Sequence, residues 1–214
     1  MHDGFLRVAA ATPDILVADC KSNRDRILEL IRQAEDEQVQ LVVFPELCLT
    51  GSTCGDLFFS RTLLAGAADA LLDLAAATSD LAIISVIGLP LTDGERLYNV
   101  AAVLYKGNIM GFVPKLHLQS RTASWETRCF SPGPALSEVP FDNSRIPFGR
   151  NLLFGCPELP GLQLAVEIGH DLCAARSPAI DHAAAGATII ANPSACCEFV
   201  GRAARRRLLV QSQS

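Results

Sequence analysis

Short, unbroken apolar runs of strand length alternate along this chain with amphipathic stretches of helix length, and that alternation constrains the fold more than any other feature. Phe5 to Ala11, Gln40 to Phe44, Ala82 to Gly88, Leu97 to Tyr105, Asn108 to Pro114, Leu162 to Ile168 and Ala187 to Ala191 read as strands. Several carry Val, Ile and Leu at consecutive positions, the pattern of strands covered on both faces. Between them, a helix capped by Asn23 is expected to run to about Glu37, a second over 57–77 and a third over Ser177–Ala185. Lys106-Gly107 reads as a hairpin turn, 115–150 as a long irregular loop rich in proline and glycine, and the basic tail after Arg202 as the start of a helix. The whole is an α/β domain with largely buried sheets, and 1–214 reads as a single domain without an internal repeat.

Composition narrows the functions open to such a fold. With 214 residues, half of them hydrophobic and 19% charged, the chain can bury a full core. Eighteen basic against 23 acidic residues leave a formal charge of −5, which argues against nucleic acid as a partner. No apolar run reaches the roughly 18–20 residues that cross a bilayer. Asp3 and Arg7 break the N-terminal run, so the expected setting is cytoplasmic, with no membrane partner. The eight cysteines are scattered without any CxxC pair, which predicts free thiols, most of them buried, and no metal site.

In α/β folds the chemistry gathers on loops just past strand ends. Three qualify: Pro45-Glu46, Pro114-Lys115 and Gly169-His170-Asp171. A carboxylate held at the rim of a core is partly desolvated, the setting of a general base, although position alone favours a capping or surface glutamate for Glu46. An ammonium near a reacting carbonyl stabilises an oxyanion, although position alone favours a solvated strand-end lysine for Lys115.

Taken together, FPELCLTG around Glu46, VPKLHL around Lys115 and VEIGHDL around Asp171 resemble, in order and spacing, the nitrilase (carbon–nitrogen hydrolase) superfamily. TCGDLFF, WETRCFSPG, NPSA and VGR extend the likeness to the glutaminase domain of glutamine-dependent NAD synthetases, over essentially the whole chain. The resemblance implies a nitrilase-like α-β-β-α sandwich, and a Glu–Lys–Cys triad that releases ammonia from glutamine through a thioester. It places Glu46 at the base, Lys115 at the family lysine and Glu126 at a second glutamate beside the triad.

The same alignment marks departures. The family reads E-I-C-E-D-L-W where this chain reads Glu167-Ile168-Gly169-His170-Asp171-Leu172-Cys173, so Gly169 occupies the nucleophile position and the thiol is missing. Cys173, four residues on and about 6 Å along one helical turn, is too far to substitute and reads as a small core residue. His170 offers the alternative of holding a water for direct hydrolysis. Around the substrate, Ser52 and Arg121 replace family tyrosines and Cys196 a family serine, while Arg202 matches the family arginine.

Relative to that family the chain reads as C-terminally truncated. The resemblance implies that the synthetase half, with its SGGxDS-type loop, lies outside this sequence, and that ATP and the NAD precursor belong to that half, so no cofactor is expected here. The expected partners are glutamine or a small amide if the site is active, and a second copy or another nitrilase-like subunit. Three readings follow: a glutaminase-type domain, an inactive binding or assembly module, or a decayed fragment.

Overall fold

A computed structural model of the chain describes residues 5–119 and 126–213. Seven strands form the larger sheet: β1 (Val8–Ala10), β2 (Leu41–Val43), β3 (Ile84–Asp93), β4 (Arg96–Tyr105), β5 (Asn108–Pro114), β6 (Ser137–Phe141) and β7 (Ser144–Phe148), in the order β1-β2-β3-β4-β5-β7-β6. β1, β2 and β3 run parallel, β3-β4-β5 form an antiparallel meander, and β7 joins β5 in parallel. A second sheet, in the order β10-β9-β8, comprises β8 (Phe154–Gly155), β9 (Gln163–Val166) and β10 (Ile189–Ala191).

Two helices, α1 (Cys20–Asp36) and α2 (Arg61–Ala77), pack on each other and cover one face of the larger sheet. Their buried stripes, Ile27-Ile31-Ala34 and Leu63-Ala67-Leu71-Leu74, repeat at three and four residues and so face the sheet. The opposite face meets the smaller sheet, where Val86, Ala101, Val103 and Val113 pack against Leu162, Leu164, Val166 and Ile168. Each such fully buried aliphatic side chain stabilises the fold by about 1.5–3 kcal/mol. On the far side α4 (Pro178–Ala184) lies against β9, which completes the α-β-β-α order that the resemblance implied. The remaining helices are the single turn α3 (Glu126–Cys129) and α5 (Arg202–Gln213), which has no buried residue. None of the described helices is long and apolar enough to cross a membrane.

Several expectations need correction. α1 begins at Cys20, four residues early, because Asp19 caps it by accepting from the Ser22 backbone N–H at 3.0 Å. Asn23 is buried instead, bonded to both Leu16 backbone groups and to the Leu49 carbonyl. The helix expected over 57–77 is a 3-10 turn, Gly55–Phe59, followed by α2. β3 extends five residues beyond Gly88, to Asp93, while β1, β2, β9 and β10 are shorter than their apolar runs. The segment 115–150 is not an irregular loop throughout, since it holds the β6–β7 hairpin. Pro140 and Pro147 hide that pair from a sequence reading, because proline speaks against strand. The Lys106-Gly107 turn is as expected, with φ of 46° and 78° at the two residues.

Candidate active site

The three strand-end loops converge. Glu46 follows β2 after Phe44 and Pro45, in a loop pressed so closely on β3 that a Cβ on Gly88 would stand 2.4 Å from the Leu47 nitrogen and 2.7 Å from the Glu46 Cα. Leu47 takes a left-handed φ of 55°, uncommon for a side chain of its bulk, held by hydrogen bonds from the Thr50 and Gly51 N–H groups to its carbonyl. This turn aims the Glu46 carboxylate inward, where it is 5% exposed.

Lys115, directly after β5, is 1% exposed and donates to Glu46 Oε2 at 2.9 Å and to Glu126 Oε1 at 2.7 Å. The second oxygen of Glu126 accepts the Gln119 N–H at 2.9 Å, so this carboxylate also orders the chain after Lys115. Asn99 of β4 donates to Glu46 Oε2 at 3.1 Å, and the Ala195 N–H donates to Glu46 Oε1 at 3.0 Å. Burial alone would push the Lys115 ammonium down; the Glu46 and Glu126 carboxylates outweigh it and hold its pKa above the ordinary lysine value.

Gly169 completes the cluster. It opens a 3-10 turn, Gly169–Cys173, with φ of +54°, and its N–H donates to the Pro193 carbonyl at 2.8 Å. A Cβ at this position would lie 2.9 Å from Glu46 Oε1 and 3.2 Å from Lys115 Nζ. Asp171 holds the turn to the lysine loop by accepting from the N–H groups of Leu116, His117 and Ile168. Burial raises its pKa above the usual carboxylate range, and those backbone donors oppose the shift.

A second group stands beside the first. His170 Nδ1 lies 3.3 Å from Cys196 Sγ, its Nε2 lies 3.3 Å from an Arg202 guanidinium nitrogen, and Ser194 Oγ is 3.1 Å from the same sulfur. Burial lowers the His170 pKa, and the charges of Arg202 and Lys115 lower it further.

Glu46, Lys115, Glu126 and Gly169 therefore meet, and Cys196 and Arg202 meet each other through His170. Ser52 makes no hydrogen bond or ion pair to either group, and Arg121 lies outside the described residues. Cys173 is not a core residue: it is exposed, at the end of the 3-10 turn, whose rise of about 2 Å per residue carries it roughly 8 Å along the axis from Gly169. Five of the eight cysteines are buried free thiols. Among the described residues, no three His, Cys, Asp or Glu side chains are grouped to hold a metal. The sequence reading missed Asn99, although a lone amide inside the apolar strand β4 was its signal.

The Carbon-nitrogen hydrolase family matches residues 7–213, and the chain belongs to that family. It is 38% identical over 212 residues, 99% of its length, to glutamine-dependent NAD(+) synthetase of Mycobacterium bovis, and 39% identical over the same length to that of Mycobacterium leprae. It covers 31% of each, so the chain spans about a third of the length of these curated relatives. The crystal structure of a glutamine-dependent NAD(+) synthetase from Cytophaga hutchinsonii superposes with a TM-score of 0.85 at 28% identity, covering 97% of this chain and 33% of that one. An amidase from Nesterenkonia sp. shares the fold at a TM-score of 0.73 and 20% identity, covering 97% of this chain and 71% of its own. The nitrilase-like α/β fold and the homology to the synthetases' glutaminase domain both stand on these matches.

Proposed function

We propose that this chain is a glutaminase-type carbon–nitrogen hydrolase domain that keeps the polar frame of an amide site, with Glu46, Lys115 and Glu126 as its charged members, but does not form the family's thioester. One observation carries this reading: a side chain at position 169 would project between the Glu46 carboxylate and the Lys115 ammonium, and glycine places only hydrogen there. In thiol-dependent amide hydrolysis the base takes the thiol proton, the sulfur attacks the carbonyl carbon and the lysine steadies the oxyanion. Here base and lysine have no sulfur between them. The relatives named for glutamine support a small carboxamide as the ligand of this frame. In a longer synthetase-like protein, the ATP-dependent step would belong to the part of the relatives that this chain does not span.

Ammonia release from glutamine tests the reading. The purified chain is expected to release no more ammonia than its Glu46→Gln variant. Release that depends on Glu46 would overturn it.

A second reading, as an assembly subunit, is favoured by the exposed apolar side chains Phe199, Val200 and Leu208 at and beside α5. Light scattering at increasing concentration is expected to give a dimer that Leu208→Glu dissociates; a chain that stays monomeric counts against this second reading.

A further inference from the structure

The His170–Cys196 pair has a polarity that hydrogen-bond inventory settles. A guanidinium has donors only, so Arg202, 3.3 Å from His170 Nε2, requires that nitrogen to be the acceptor. The neutral imidazole then carries its proton on Nδ1, which donates to Cys196 Sγ at 3.3 Å. Ser194 Oγ–H donates to the same sulfur at 3.1 Å. Two donors converging on one sulfur stabilise the negative charge that develops there as it attacks. The lowered pKa of His170, set by burial and by Arg202, agrees with the neutral imidazole this requires.

Cys196 also lines a cavity of about 680 Å³, walled by Ala10, Val43, Phe44 and Leu172 and carrying three charged side chains, Glu198 and, from α5, Arg206 and Arg207. Glu198 pairs with Arg206, whereas Arg202 and Arg207 have no ion-pair partner among the described residues. An apolar body and a single negative charge suit that lining, with the charge directed to Arg207.

We propose that Cys196 is a nucleophilic thiol, distinct in position from the glycine at 169, and that it captures small carboxylate-bearing electrophiles covalently. The thiol proton leaves to solvent. The sulfur then adds to the β-carbon of a conjugated carboxylate: the S–C bond forms, the C=C π bond breaks, and the α-carbon takes a proton from water. With a haloacetate the sulfur displaces halide instead. No oxidant or further reactant is needed. The proposal stands apart from the amide reading, because neither glutamine nor ammonia release enters its test.

The test is competitive alkylation at neutral pH, resolved by peptide mass spectrometry. Cys173 and Cys197 are the internal standards, since both are exposed while Cys196 is half-buried. Accessibility alone would make Cys196 the slowest of the three. Cys196 is expected to react with iodoacetate roughly tenfold faster than either standard. Its iodoacetate-to-iodoacetamide rate ratio should exceed that of Cys173 severalfold, and Arg207→Gln should abolish the excess while sparing the iodoacetamide rate. His170→Ala should bring Cys196 down to the standards. If that variant does not fold, the wild-type order of the three thiols still decides. Cys173 or Cys197 reacting first would overturn the proposal, as would a Cys196 rate indifferent to His170 in a folded variant.

Discussion

The two groups that flank Gly169 are built from opposite physics. On one side Glu46, Lys115 and Glu126 form a buried ion cluster, with further donors from Asn99 and from the backbone of Gln119 and Ala195. On the other side Cys196, His170 and Arg202 form a chain of three groups that is only half-buried. Removing Lys115 would leave Glu46 and Glu126 facing each other with no cation between them, whereas the second group can lose a member at less cost, because solvent is at hand. The surroundings of Gly169 are thus held in place chiefly by the charges packed against it.

Lys115→Met should break the comparison most severely. It leaves two carboxylates in a site built around a cation, and a loss of about 3–5 kcal/mol is expected in urea unfolding. Arg202→Met should cost less than about 1 kcal/mol in the same measurement. Gly88→Ala drives a methyl into the backbone that carries Glu46, with a loss of about 1–3 kcal/mol, or more if the loop cannot move.

Gly169→Ala should cost about 1–2 kcal/mol, because an L-residue must take φ of +54° and its Cβ must push back the Glu46 carboxylate. For the same reason, and because Ser52 and Arg121 depart from the family, Gly169→Cys is expected to restore little ammonia release. Relative-like turnover from that single change would show that the frame is more forgiving than its geometry suggests.

The smallest effect is in pH. Lys115, with its pKa raised in the fold, stabilises the native state fully below the ordinary lysine pKa, and that stability is lost as pH climbs through the raised value. His170, with its pKa lowered, contributes in the opposite sense. The unfolded chain binds the proton more readily, so stability is lost as pH falls below about 6.5. Melting curves against pH should therefore show Lys115→Met flattening the alkaline limb and His170→Asn the acid limb. Both substitutions acting on one limb would mean the two groups are not electrostatically separate.

How much of this was legible in the sequence depends on what joined the parts. Glu46, Lys115 and Gly169 each end an apolar strand, so a local pattern marked them, and the family motifs added Glu126. The β6–β7 hairpin was hidden by its prolines, and the start of α1 by the choice between Asp19 and Asn23, two good capping residues four positions apart. Cys173 reads as core because free cysteines are usually small buried residues, whereas it stands exposed at the end of the 3-10 turn Gly169–Cys173. The His170–Cys196 contact had no local signal at all. Its partners are 26 residues apart, and parallel pairing of Val166 with Ala191 sets side by side the segments that lead to them.

The most direct measurement is of covalent chemistry itself. The chain is incubated with glutamine, quenched in acid, digested and mapped by mass spectrometry for a glutamyl thioester. All eight cysteines are expected to remain unmodified. A glutamyl adduct on any of them, lost in Glu46→Gln, would contradict it.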